Sequence, residues 1–153
     1  MSATRLVRGF SLLELVIVIV IVGMLAAVAI PRFASAAVRQ RADAAARRVV
    51  ADLTLARRHA EQSSAEQTVI FEVGAGRYRL LGYIDPDRPG SEYEVRLDRE
   101  PYQAAIVAAD FDGNAHVTFD GYGLPNAGGS VVLRVGDEVR TVTLDSQTGE
   151  ATW

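Results

Sequence analysis

The chain has no cysteine, no lysine and only two histidines. Without cysteine it can form neither a disulfide framework nor a thiolate metal site. The histidines, His59 and His116, lie too far apart in sequence to read as a metal pair. Ser63, Ser64 and Ser130 have no base and orienting group beside them, so nucleophilic catalysis lacks a candidate. Asp110-Phe111-Asp112-Gly113-Asn114 lacks the ligand spacing and closing glutamate of a calcium loop and reads as a turn between strands. No segment repeats at a fixed period, which excludes a solenoid. These absences leave no expected enzyme activity, metal or cofactor.

What is present is unevenly distributed. A chain of 153 residues that is 49% apolar has room for one domain of ordinary size. The net charge of -3 conceals two opposed halves. Residues 1–62 carry nine arginines against four acids, a balance of +5, and residues 63–153 carry seven against fifteen, a balance of -8. An acidic surface repels phosphate backbones, so no nucleic acid partner is expected for the C-terminal part.

The stretch Leu15 to Ile30 runs sixteen residues without a charge, and reaching back to Phe10 gives twenty-one with Glu14 as the sole charge. At about 1.5 Å per residue this is enough helix to cross a hydrocarbon layer of roughly 30 Å. An acid at mid-membrane costs roughly 2.5 to 3.5 kcal/mol, so Glu14 asks for a partner. A cleavable secretory signal is one reading, with Arg5 and Arg8 as its basic region and Ala27-Val28-Ala29 as its cleavage site. A plain signal anchor with Glu14 snorkelling to the headgroups is a second. Five arginines, Arg32, Arg39, Arg41, Arg47 and Arg48, follow the run, whereas two precede it, the reverse of the positive-inside bias.

A third reading uses residues that the first two leave unexplained. Arg8-Gly9-Phe10-Ser11-Leu12-Leu13-Glu14-Leu15 resembles the processing site of type IV prepilins and type II secretion pseudopilins. The resemblance implies that prepilin peptidase cuts between Gly9 and Phe10 and methylates the new N-terminus at Phe10. It also implies that Glu14 neutralises the terminal ammonium of a neighbouring subunit, since two buried charges that pair cost far less than two left apart. Within one subunit Glu14 also complements the helix dipole, a smaller effect of about 0.3 to 1 kcal/mol.

Pro31 closes the run, and a kink or local loosening of the helix is expected there because it removes a donor and crowds the carbonyl of Ala27. Beyond it Val38, Ala42, Ala45, Val49, Leu53, Ala56 and Ala60 recur at spacings of three and four, with the arginines largely off that stripe. An amphipathic helix is predicted to end near Gln62-Ser63-Ser64. The remainder alternates as strands: residues 68–73, 78–84, 92–97, 103–108, 115–119, 130–135 and 139–144, with a hairpin turn at Gly136-Asp137-Glu138. The stretch Phe119-Asp120-Gly121-Tyr122-Gly123-Leu124-Pro125 and the closing hairpin resemble the C-terminal domain of the GspH/FimT family of minor pseudopilins. Some FimT-type relatives carry a basic Gly-Arg-x-Arg motif for DNA uptake; here Gly149-Glu150-Ala151-Thr152 stands in its place, with Glu and Thr where the arginines fall.

The expected fold is α+β, a long N-terminal helix, membrane-spanning in its first half and amphipathic in its second, packed on a small antiparallel β-sandwich. Its expected parts are a leader at 1–9, a transmembrane and assembly helix at 10–30, an amphipathic continuation at 31–62 and a β domain at 63–153. The resemblance implies a minor pseudopilin of the type II secretion pseudopilus. A minor type IV pilin of the FimT kind and a membrane-anchored periplasmic binding domain that never polymerises remain as alternatives. Implied partners are prepilin peptidase, other major and minor pseudopilins or pilins, the inner-membrane assembly platform and the lipid bilayer. The implied location is a single pass of the inner membrane with the C-terminal domain in the periplasm.

Overall fold

The computed structural model describes residues 11–153, apart from the side chains of 28–32 and 34. One helix, α1 (Leu12–Ser63), precedes eight strands: β1 (Gln67–Glu72), β2 (Arg77–Ile84), β3 (Glu92–Arg96), β4 (Ala105–Asp110), β5 (His116–Phe119), β6 (Gly129–Val135), β7 (Glu138–Leu144) and β8 (Ala151–Thr152). The chain divides into two units between Ala37 and Val38. α1 continues without interruption through Pro31.

In the unit beginning at Val38, the strands form two four-stranded sheets, ordered β3-β2-β1-β5 and β4-β6-β7-β8, with every neighbour antiparallel. Alternation sets which side chains turn inward: along β1, Gln67, Val69 and Phe71 are buried while Thr68, Ile70 and Glu72 are only half-buried. Both sheets contribute to one core, which includes Leu80, Val117 and Phe119 from the first and Ile106, Val131 and Leu133 from the second. The stripe Ala42, Ala45, Val49, Leu53, Ala56 and Ala60 is buried in that core as the helical spacing predicts, with Ala46 beside it. Alanine is the strongest helix former and its small side chain lets the helix axis come close to the strands.

The helix ends in a Schellman turn. Ser64 takes a left-handed conformation (φ 51°), and the N–H of Ala65 donates to the carbonyl of Ala60 at 3.3 Å. At the β4–β6 pairing, Gly129 has no room for a side chain: a Cβ there would lie 2.1 Å from the carbonyl oxygen of Asp110.

Two details differ from the sequence expectations. The fourth strand begins at Ala105 rather than at Gln103, because the N–H groups of Tyr102 and Gln103 both donate to the carbonyl of Arg99 and Gln103 is left-handed (φ 51°). The two-residue strand β8 was not expected, since so short a segment carries no alternation to read; it pairs through Thr152 and Ala151 with Thr143 and Leu144.

Candidate assembly interface

The described part of the N-terminal unit is a helix with its apolar side chains uncovered. Leu12, Leu13 and Leu15 through Val22, with Met24 and Leu25, are all exposed. Glu14 is also exposed and lies in the first turn, where the N–H of Leu15 donates to the carbonyl of Ser11 at 3.1 Å. An apolar helical surface of this length, bare in the single chain, is what a lipid or a packed helix partner covers. Among the described residues no helix is long and apolar enough to cross a membrane. The described side chains of this run stop at Ala27, however, and the sequence carries it on through Val28, Ala29 and Ile30. Gly9 and Phe10 lie outside the described residues.

In the globular unit, polar groups tie the helix to the strands. Asp52 sits on the buried face of α1 and is only 4% exposed. Its carboxylate accepts hydrogen bonds from Arg48 Nε at 2.9 Å, from the Tyr93 hydroxyl at 2.9 Å and from the Tyr78 hydroxyl. Arg48 also donates to the Tyr93 hydroxyl. Burial pushes the Tyr93 phenol up to about 12, and the neighbouring Asp52 charge adds to that shift. Tyr78 is raised well above its ordinary value for the same two reasons. Desolvation opposes the charge on Arg48, but Asp52 and the two tyrosines more than offset it and hold the guanidinium protonated. This cluster has no motif in the sequence. Its one trace there is an acid among the apolar stripe residues Val49, Leu53 and Ala56.

A second tie is made of charges nearer the surface. Glu138 on β7 accepts from Arg39 Nε and from Arg140, both at 3.1 Å, and Arg140 also reaches Asp43 at 2.8 Å. Hydrogen bonds from Arg140 and then Arg39 hold the Glu138 carboxyl below the usual range. The four residues alternate in sign, so each charge is flanked by its opposite.

The remaining sequence candidates are dispersed. His59 meets the ring of Tyr83 edge-on at 4.7 Å, while His116 is an exposed residue of β5. The carboxylate of Asp110 accepts the N–H of Gly113 at 2.8 Å, and Phe111 bridges Asn114, which makes the stretch a tight turn between β4 and β5. Ser63 donates to the carbonyl of His59 at 2.7 Å, and Ser130 pairs with Thr143 in the sheet. Glu150 is exposed in the turn that leads into β8. Among the described residues no group of His, Asp and Glu is placed to hold a metal ion.

Comparison with known proteins agrees with this architecture. The profile of the family described as Type II transport protein GspH matches residues 45–148, and that of the prokaryotic N-terminal methylation motif matches residues 4–30. The chain is 33% identical over 157 aligned positions to the Pilin-like protein PilA1 of Thermus thermophilus, covering 92% of this chain and 94% of the relative. Two crystal forms of the type IV minor pilin FimU of Pseudomonas aeruginosa share the fold, with TM-scores of 0.53 and 0.51 at 15% and 14% identity. The alignments cover 74% and 72% of this chain and 88% and 90% of the FimU chains. An N-terminal methylation motif, a long helix and two antiparallel sheets within one matched length establish the relationship: the chain belongs to the GspH family of pilin-like proteins, whose members are structural subunits.

Proposed function

We propose that the chain is a minor pseudopilin, a structural subunit of a type II secretion pseudopilus with no enzymatic activity of its own. The observation that carries this reading is the joining of an N-terminal methylation motif at residues 4–30 to a GspH-type domain at 45–148. In this reading prepilin peptidase removes residues 1–9 and methylates Phe10. The helix from Phe10 to Ile30 passes once through the inner membrane, with Pro31 as a point of local loosening. Residues 31–62 carry the helix into the domain, and residues 63–153 complete that domain in the periplasm. Glu14 then lies close to the new N-terminus, where a methylated ammonium remains positively charged. Each subunit supplies one such cation and one carboxylate, and pairing them between neighbours offsets the cost of holding either charge away from water.

A second reading, a minor type IV pilin, draws on the similarity to the Pilin-like protein PilA1 and on the fold shared with FimU. Against a DNA-uptake duty stands Glu150, since a carboxylate repels phosphate. Deleting the gene separates the two machines: loss of extracellular enzymes with surface pili intact supports the pseudopilus, and the converse supports the pilus.

The subunit reading is tested by intact mass of membrane-extracted protein, expected to begin at N-methylated Phe10. A terminus at Ile30 would sink it. Glu14→Gln is expected to be processed normally and to fail in co-purification with other subunits. A variant that is processed and still incorporates would remove Glu14 from the assembly account.

A further inference from the structure

The globular unit has two ends that differ in chemistry. One is where α1 stops. There Gln67 pairs with Phe119, and Gly121 packs so closely on the Ser64 backbone that a Cβ would lie 2.9 Å from the Ser64 carbonyl carbon. The loop Asp120–Pro125 is therefore seated on the helix terminus. Asp120 locks it: its carboxylate accepts the N–H groups of Tyr122 and Leu124, both at 2.9 Å, and its own N–H donates to the Leu124 carbonyl at 2.9 Å. Pro125 bridges Phe119 beneath.

This rigid loop holds Tyr122 out into solvent at 86% exposure, with Leu124 half uncovered beside it. A loop already ordered in this way loses little backbone entropy on binding, and tyrosines are over-represented among energetic anchors of interfaces. The surroundings include two carboxylates and a helix C-terminus. The last turn of α1 holds no basic residue to offset its negative dipole end. Glu61 lies against Gly123 and is paired with Arg57 at 3.3 Å, while Glu66 has no partner among the described residues. An aromatic face next to carboxylates and a helix C-terminus suits a guanidinium, which stacks on the ring and donates to the oxygens.

The opposite end carries such groups. Gly76 accepts the N–H of Leu97 at 2.7 Å, its side approaches Ala104, and Ala105 pairs with Arg134 next to the Gly136 turn that contacts Val38. These contacts gather the β1–β2, β3–β4 and β6–β7 turns where the helix enters the unit. Arg99 there makes no side-chain hydrogen bond or ion pair among the described residues and acts only at longer range on Asp98, and Arg41 is bonded only to the neutral amide of Gln103. Glu100 and Asp137 lie at the same end, so these arginines offer individual side chains rather than a basic field. A contact between unlike ends is heterologous, and repeated without closing it builds an open filament.

We propose that the end bearing Tyr122 is a docking surface for an arginine-bearing end of another pilin-fold subunit, with Tyr122 as the anchor. It rests on the filament-subunit reading and adds the surface through which stacking occurs. The test uses the full-length chain in cells that assemble the filament, with p-benzoylphenylalanine in place of Tyr122 and, separately, Tyr122→Phe and Tyr122→Ser. Illumination is expected to yield an adduct with a pilin-fold subunit, identified by mass spectrometry at the β3–β4 end of its domain. Tyr122→Phe keeps the ring and is expected to incorporate within about twofold of wild type, whereas Tyr122→Ser falls by about tenfold or more. Processing and thermal midpoint are expected to be unchanged in both.

Normal incorporation of Tyr122→Ser overturns the proposal. So does a lowered midpoint in Tyr122→Ser, which would make the residue structural, or an adduct with lipid, the assembly platform or a secreted protein. A wild-type chain that is never processed or incorporated overturns the subunit reading instead, so the two failures are distinguishable.

Discussion

Replacing Asp52 by alanine removes the acceptor shared by Arg48, Tyr78 and Tyr93. The buried Tyr78 hydroxyl is then left without its partner, which costs about 1–3 kcal/mol. Breaking a buried ion pair by deleting one member costs about 3–5 kcal/mol when the survivor is sealed from water. Arg48 is not sealed, since 37% of its side chain is accessible, so its share belongs at the low end. A combined loss of about 3 kcal/mol follows, equivalent to a midpoint shift of about 12 °C for a unit of this size. Urea titrations of wild type and Asp52→Ala, followed by tyrosine fluorescence and far-UV circular dichroism, measure it. Because the cost lies in stranded partners, replacing the whole cluster by Arg48→Met, Asp52→Leu, Tyr78→Phe and Tyr93→Phe is expected to recover most of the loss. A loss below about 1 kcal/mol in Asp52→Ala would refute the reasoning, as it would mean that water or neighbouring groups satisfy the stranded donors.

Gly129→Ala is expected to destabilise by about 3 kcal/mol or more, because its Cβ meets backbone at Asp110 rather than a movable side chain, and thermal melts of the two proteins compare them directly. Raising the pH should unfold the globular unit along an alkaline limb. Tyr93 is raised from 10.0 to about 12, so the stability it contributes is complete below pH 10 and is lost as pH rises through about 12. Tyr93→Phe should flatten that limb in a pH series of melts. Double-stranded DNA should not bind the protein at physiological salt, given the acidic C-terminal part and Glu150; an anisotropy titration showing salt-sensitive binding at micromolar concentration would reverse that expectation.

The helix was legible because burial and sequence obey the same period: Val49, Leu53, Ala56 and Ala60 fall on one face whether counted or observed. Strands with a buried side, such as β1 and β6, were legible for the same reason. What escaped the sequence depends on distant residues meeting. Asp52 and Tyr93 are joined across the last turns of the helix and two strands, and nothing near either residue in the chain announces the other. The division into two sheets also depends on non-local pairing, since β1 lies beside β5 and β4 beside β6. At the proposed assembly surfaces the leader motif gave Gly9, Phe10 and Glu14 their expected roles by resemblance, whereas Tyr122 needed the loop geometry to distinguish a presented ring from an ordinary surface residue.

The alanine stripe on α1 has a consequence for how the domain tolerates change. Ala42, Ala45, Ala46, Ala56 and Ala60 present small side chains to the core on either side of Val49 and Leu53, so only those two give the apolar face much relief. Such a surface gives adhesion without much address. The address is written in Asp52, whose two strand donors, Tyr78 and Tyr93, meet it at this axial position, and in Asp43, which meets Arg140 there. Sequence drift at the alanines is therefore cheap so long as residues stay small, while a change at Asp52 must be answered at Arg48, Tyr78 and Tyr93 together. A designer who wished to slide the helix by a turn would leave the alanines alone and move the acid together with Val49 and Leu53.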